Sequence, residues 1–343
     1  MDLDEILQES LKIMEDDFYK KEFKFSYSSL NKLIWSPAAF FQVYVLGNKE
    51  EKMDSHLIQG KIIHCLLLEE EKFNNYFIVS PDTLPTGSTK AVLDSVYRHY
   101  IELSRNGDER TELPEFTGAI LDVMKEMNYY QTLKTDQQRL DKIITSETLS
   151  YWEFLKNKGA KILIDKSDYD FCKNAVDLIK TDQAICKLIG CSVSEFDNIE
   201  VLNEILLECN INDKPFGLKG IVDNIVINHD EKIVYINDVK TSSKDLKDFP
   251  DSVEYYNYGL QAAIYSTLVG VKYANLIHND GYTVKFNFVV IDRMYQVYPF
   301  EVSENTLTTW FNKLTHALDR AEWHYRNKRF DLPYEFANNA VRL

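Results

Sequence analysis

Asp223, Asp238 and Lys240 have the residue types and spacing to hold a hard cation beside a phosphate. In Ile233-Val234-Tyr235-Ile236-Asn237-Asp238-Val239-Lys240 the pattern predicts a β-strand. Its period of two places Asp238 and Lys240 on one face and Val239 on the other. Asp223 closes Gly220-Ile221-Val222-Asp223 on the preceding predicted strand, so two carboxylates and an ammonium can converge. Carboxylate oxygens suit Mg²⁺, which retains waters and reaches substrate phosphates. An ion so held acidifies a bound water and offsets charge on a phosphate. A lysine beside it can orient that water or help to deprotonate it. Asp-x-Lys is a common tripeptide, however, and an exposed hairpin with ordinary surface charges would read the same way.

The elements that must position these residues fall into four regions. An acidic amphipathic helix is expected over residues 1–24, with eight acids and four bases. From about Phe25 to Phe77, Ser26-Tyr27-Ser28-Ser29 offers helix caps, Ser36-Pro37 starts a second helix, and a third spans Ile58 to Lys72. From about Ser80 to Gly190 the chain reads as helical, an insertion at about residues 81–190 that opens on the loop Pro81–Gly87. Strands are then expected over Asn203–Ile211, Phe216–Asn228 and Lys232–Thr241, with a turn at Asn228–Glu231. A helix at Val253–Val269, strands at Thr283–Asp292 and Tyr295–Val302, and a closing helix at Glu304–Arg326 complete the pattern. Strands flanked by helices in this order predict an α/β domain with a central mixed sheet.

Composition sets outer bounds. The 343 residues are 45% hydrophobic and 27% charged, ordinary for a globular protein with a sizeable core. No apolar run approaches the ~20 residues of a membrane span. The N-terminus lacks a basic start and an apolar core, so a cytoplasmic protein is expected, in a host cytoplasm if phage-encoded. The five cysteines form no C-x-x-C pair and match no zinc pattern. No G-x-x-x-x-G-K-[ST] loop occurs, so no role for ATP is expected. A net charge of -15 counts against broad phosphate binding, although a cleft can be locally positive on an acidic protein. A stretch with Arg320, Trp323, His324, Arg326, Lys328 and Arg329 is basic and aromatic. It reads as a solvated helix face with an anchored Trp, or as a strand-binding surface.

Taken as a succession, Gly220-x-x-Asp223, Asp238-Val239-Lys240-Thr241 and Gln261-x-x-x-Tyr265 resemble the G-x-x-D…D-x-K-T…Q-x-x-x-Y core of RecB-type PD-(D/E)XK nucleases. Ser26-x-Ser28-x-Leu30, followed by Ser36-Pro37-x-x-Phe40, is similar to that family's N-terminal motif. Gly60-Lys61-Ile62-Ile63-His64, with Leu68-Glu69 behind it, resembles a helix of phage exonucleases such as exonuclease VIII. The resemblance spans about residues 25–80 and 198–325. It implies a restriction-endonuclease-like core with a helical N-terminal part and a helical insertion, the nuclease domain occupying residues 25–343.

The resemblance further implies Asp223, Asp238 and Lys240 as catalytic residues. It implies His64, Asp223, Asp238 and the Val239 carbonyl as ligands of Mg²⁺ or Mn²⁺, with Glu204 as an additional acid; Glu208 lies on the same predicted strand face, and a solvated side chain is the alternative reading for either glutamate. Alone, a histidine on an apolar helix is more often a satisfied core residue. Gln261 and Tyr265, one helical turn apart, would border the site and contact DNA. The expected activity is a DNA exonuclease that resects duplex ends, with a single-strand annealing protein and a homo-oligomeric assembly as the expected partners. A structure-specific or single-strand endonuclease is the alternative enzyme, and a non-catalytic DNA-binding scaffold the alternative of another class. Ser36 stands where iron–sulfur members carry Cys, and no cysteine follows Cys209, so no iron–sulfur cluster is expected. Ile221 stands where many relatives of exonuclease VIII carry Arg.

Overall fold

The structure is a computed structural model that describes residues 17–20, 22–48, 55–191, 197–338 and 341. The expected acidic helix over residues 1–24 lies largely outside the described residues; residues 17–20 are helical. The chain divides into two compact units, Met1–Glu69 with Asn174–Leu343, and Glu70–Lys173.

The first unit is built on a six-stranded mixed sheet. Its strands are β1 (Lys24–Phe25), β2 (Ile199–Asn210), β3 (Gly217–Asn228), β4 (Ile233–Ser242), β5 (Thr283–Asp292) and β6 (Val297–Glu301). Strands β2, β3 and β4 form an antiparallel meander; β5 lies parallel to β4, and β6 returns antiparallel to β5. A short parallel contact adds β1 to the start of β3. Asn228 sets the β3–β4 turn, its Oδ1 accepting the N–H groups of Asp230 and Glu231. The central strands are rich in β-branched and aromatic residues and are buried on both faces, as a covered sheet requires.

The helices that matter to the site are α1 (Tyr27–Trp35), α2 (Ser55–Leu68), α3 (Gln183–Ile189), α4 (Phe249–Tyr256), α5 (Tyr258–Lys272) and α6 (Glu304–Asn327). Ser26 and Ser29 form a reciprocal capping box at the start of α1. The core joins α1, α5 and α6 to one face of the sheet through Leu30, Leu33, Val222, Ile236, Ile264 and Leu314. The helix expected over Val253–Val269 is two helices. Asn257, at φ 58°, separates α4 from α5 in the left-handed region that Asn tolerates better than most residues.

The second unit is mostly helical, with helices at Gly87–Arg105, Thr117–Glu126, Asp136–Ile143 and Ser146–Lys158. A short parallel pair joins Phe77–Val79 to Ile162–Ile164. It has its own core around Trp152, whose indole N–H donates to the Thr111 carbonyl. No described helix is long and apolar enough to cross a membrane.

One glycine contact ties the sheet to α5. A Cβ on Gly220 would stand 2.8 Å from Cε1 of Tyr265 and 3.3 Å from Leu268. The bare backbone of β3 thus lets the Tyr265 ring lie flush against it. Gly220→Ala should lower stability by about 1–3 kcal/mol through overpacking. A Gly220→Ala/Tyr265→Leu double variant should lose less than the sum of the two single variants. Additive losses in denaturant titrations would show that the two residues do not meet.

Candidate active site

The site forms where β3 and β4 part. Their ladder ends at the Asn224–Asn237 pair. One residue further along, the Asp223 carboxylate fills the opening and accepts the backbone N–H of Val239 at 2.8 Å. On the other side of β3, Glu204 lies opposite Asp223 and has a left-handed backbone with φ 48°. A non-glycine residue held there costs on the order of 1–3 kcal/mol, the kind of strain that gathers at functional sites. The alternation of the strands slips at this point. Leu202 and Ile205 pack on the same core, as do Val222 and Ile225, although each pair is three residues apart. Both slips leave an Asn and an acid side by side.

Helix α2 brings His64 to the opening. Gly60 passes close to Thr241 of β4, where an added Cβ would lie 3.3 Å from Oγ1. One helical turn on, His64 Nε2 donates to the Val239 carbonyl at 2.8 Å. Four helical residues rise ~6 Å and two strand residues ~6.6 Å, so the helix and strand stay matched over this stretch. His64 Nδ1 lies 3.3 Å from Glu204 Oε1 and 3.7 Å from Asp223 Oδ2. Both ring nitrogens therefore face oxygen atoms, which a doubly protonated imidazolium satisfies. Burial works against that charge, but the Asp223 and Glu204 carboxylates outweigh it and raise the His64 pKa to about 9. The side chain remains 26% exposed, so the cluster can be reached from solvent.

Asp238 is fully buried and forms an ion pair with Lys240. Among the described residues its Oδ1 meets no hydrogen-bond donor. Burial, and then the Asp223 charge, push the Asp238 carboxyl up to about 6, and burial likewise raises Asp223. Lys240 is held cationic: burial opposes its charge, and Asp238 and Asp223 overcome that cost. Its ammonium also lies 5.0 Å from the ring centre of Tyr258.

The residues singled out in the sequence are thus placed unequally. His64, Glu204 and Asp223 each offer an atom within 4.8 Å of the others, and the Val239 carbonyl adjoins them through His64. Asp238 stands apart from this group, turned to Lys240. Glu208, further along β2, is engaged by Lys24 at 2.6 Å. Gln261 and Tyr265 are buried on α5; the Gln261 amide donates to the Tyr265 hydroxyl at 3.1 Å, and its buried Oε1 has no partner among the described residues. Ile221, on β3, is 50% exposed. In the basic C-terminal stretch Arg320, Arg326 and Arg329 pair with Glu335, Glu322 and Asp331, so its charge is mostly answered locally.

Sequence reasoning did not find a row of asparagines one step behind the acids. Asn287 donates to Asn237, Asn237 to Asn224 and Asn224 to Asn203, at 2.7–2.9 Å, across four strands. Their remaining N–H groups reach the Leu68 carbonyl at the end of α2 and the Leu188 and Ile189 carbonyls at the end of α3. The ladder joins the strands that carry Glu204, Asp223 and Asp238 to the helix that carries His64. Three asparagines each next to an acid, in strands where Asn is disfavoured, were its trace in the sequence.

A fully buried acid with an unanswered oxygen, and a His/Glu/Asp group open to solvent, fit a divalent cation. The profile of the PD-(D/E)XK nuclease superfamily matches residues 24–327, and the chain belongs to that superfamily. Its members are phosphodiester hydrolases that use divalent metals. No curated protein matches the chain. Among solved structures, a protein described as a "putative exonuclease" from Eubacterium rectale is 13% identical, with TM-score 0.45, over 96% of this chain and 91% of that one. A protein named SSO0001 is 19% identical, with TM-score 0.22, over 44% of this chain and 68% of that one.

Removing one partner of the Asp238–Lys240 pair leaves a buried charge unanswered. Asp238→Asn should therefore cost about 3–5 kcal/mol of stability. Asp238→Asn/Lys240→Met should regain most of that loss and remain inactive. Equal melting temperatures for the single and double variants would show that the pair is not held as a unit.

Proposed function

We propose that this protein hydrolyses DNA phosphodiesters with Mg²⁺ or Mn²⁺ and acts as an exonuclease on duplex ends. The observation that carries this reading is the buried Asp238–Lys240 pair beside the solvent-reached His64–Glu204–Asp223 group. Those three residues, with Asp238 and the Val239 carbonyl, are the ones that would hold the ion. A divalent ion there supplies positive charge to the scissile phosphate and lowers the pKa of water. The Lys240 ammonium, fixed by Asp238 and Tyr258, positions the attacking water at the edge of the cluster. Gln261 and Tyr265 border the cluster: after the larger effect of burial, the Asp238 and Asp223 charges raise the pKa of the Tyr265 hydroxyl, to which Gln261 donates. The motif resemblance assigns the two residues contact with DNA, although both are buried here. A role in recombination beside a single-strand annealing protein, with this protein as a homo-oligomer, is what the motif likeness to phage exonucleases supports, and a cytoplasmic place is what the N-terminal composition supports.

The test compares end-labelled linear duplex with covalently closed circles, in Mg²⁺ or Mn²⁺ and without ATP. Linear DNA should be degraded and closed circles spared. Lys240→Ala should slow cleavage by about 100-fold or more. Nicking of circles at the linear rate would replace the exonuclease by an endonuclease. No cleavage with either metal would leave a non-catalytic DNA binder.

Metal uptake has a pH signature of its own. With a pKa of about 9, His64 is protonated below that pH, so an ion must displace its proton. Apparent affinity for Mn²⁺ should rise with pH toward about 9, with release of about one proton per ion at neutral pH. Calorimetry in buffers of different ionisation enthalpy reads that number directly. Unchanged proton release in His64→Gln would remove His64 from the ion's ligands.

A further inference from the structure

A run of tyrosine rings leads from the catalytic lysine to the surface. The Tyr258 ring lies under the Lys240 ammonium, 5.0 Å away. Tyr256 stacks on Tyr258 with centroids 5.3 Å apart and planes at 24°. Tyr255 meets Tyr256 edge-on at 4.9 Å. Exposure increases along the run: Tyr258 is half-buried, Tyr256 is 48% exposed and Tyr255 66%. Rings this exposed leave apolar area in water that packing could have removed, and here two occur side by side at the edge of the site.

The presentation of these rings is built into the backbone. Asn257 breaks the helix in the left-handed region directly after Tyr256. Helix α1 clamps the break: the Tyr27 hydroxyl and the Asn31 amide both donate to the Tyr256 carbonyl, and Asn257 donates to Asn31 Oδ1. These bonds use the backbone of Tyr256 and leave its ring free. Tyr27 also faces Asp238 and Tyr258 closely enough for their charges to raise its pKa, behind the larger effect of burial. The clamp, the ring run and the catalytic pair are therefore continuous.

We propose that Tyr255 and Tyr256, backed by Tyr258, are a stacking platform for the unpaired bases of a DNA strand entering the site. The proposal rests on the nuclease reading above and adds the form of substrate: a single-stranded end next to the cleaved bond. Charge favours this occupant over a duplex gripped by its phosphates. The chain carries a net charge of -15, Lys313 of α6 is paired with Glu254, and Lys240 is paired with Asp238. Stacking on a ring face needs no cation and tolerates any base.

The experiment uses the full chain, metal-free in chelator, and a short single-stranded DNA carrying 2-aminopurine near one end. Binding should quench the probe, as stacking does. In Tyr255→Ala/Tyr256→Ala the quench should vanish and Kd should rise about tenfold or more. Tyr256→Phe should keep both properties. Tyr256→Leu, which retains bulk but no π-face, should lose the quench, with its melting temperature unchanged. Wild-type-like binding and quenching by the double alanine variant would overturn the platform, as would an equal loss in Tyr256→Phe or no binding of single strands by the wild type. Cleavage of linear DNA alongside any of those outcomes would leave the hydrolase reading standing. Intact stacking in a protein that cleaves no DNA would sink the hydrolase reading alone.

Discussion

Two carboxylates, Asp223 and Asp238, are taken out of water within reach of each other's charge, and this arrangement governs the rest of the unit. Buried anions so placed repel, and each must meet a cation or a hydrogen-bond donor. Lys240 answers Asp238; the Val239 N–H and the His64 imidazolium answer Asp223. The answer is incomplete by one oxygen of Asp238. A core that served stability alone would have hydrocarbon here, since well-packed apolar groups usually match or exceed a buried ion pair. The cluster makes sense as a place for a further positive charge.

Holding such a cluster in register demands rigid support close by. The asparagine ladder supplies it by joining β2, β3, β4 and β5 through side chains one residue from the acids, just where the backbone ladder between β3 and β4 stops. It also ties down the ends of α2 and α3, because its amide N–H groups donate to the carbonyls of Leu68, Leu188 and Ile189, which the helices themselves leave unpaired. The two glycine contacts act in the same sense from the outside. Gly60 lets α2 approach Thr241, and Gly220 lets Tyr265 approach β3. The matched spacing of helix turn and strand pair between Gly60–His64 and Thr241–Val239 is thus a packing requirement as well as a chemical one.

The acidity of the chain and its proposed substrate are reconciled by where the cations are spent. Most described arginines and lysines near the C-terminal helix are paired with local acids, and the aromatic run beside Lys240 offers contact that does not depend on charge. A weak electrostatic grip with a local aromatic one suits a site that handles strand ends.

Much of this was legible in the sequence because it depends on local periodicity. Alternation in β3 to β5 marked the strands, and the period of two set Asp238 and Lys240 on one face, where they pair. The spacing Gly60–His64 and the order of motifs identified the family. What the sequence could not decide depends on residues far apart in the chain. Alternation gives no warning of the slips at Glu204 and Asp223, because a left-handed glutamate is stable only when its neighbours hold it there. Nor does periodicity see the break at Asn257, where bonds from α1, more than 200 residues earlier, fix a turn inside an otherwise helical pattern. The sequence therefore determined which side chains were available and on which face of each element they stood. Only the tertiary structure decided which of them share a charge, since that is a matter of distance between elements and of the water excluded between them.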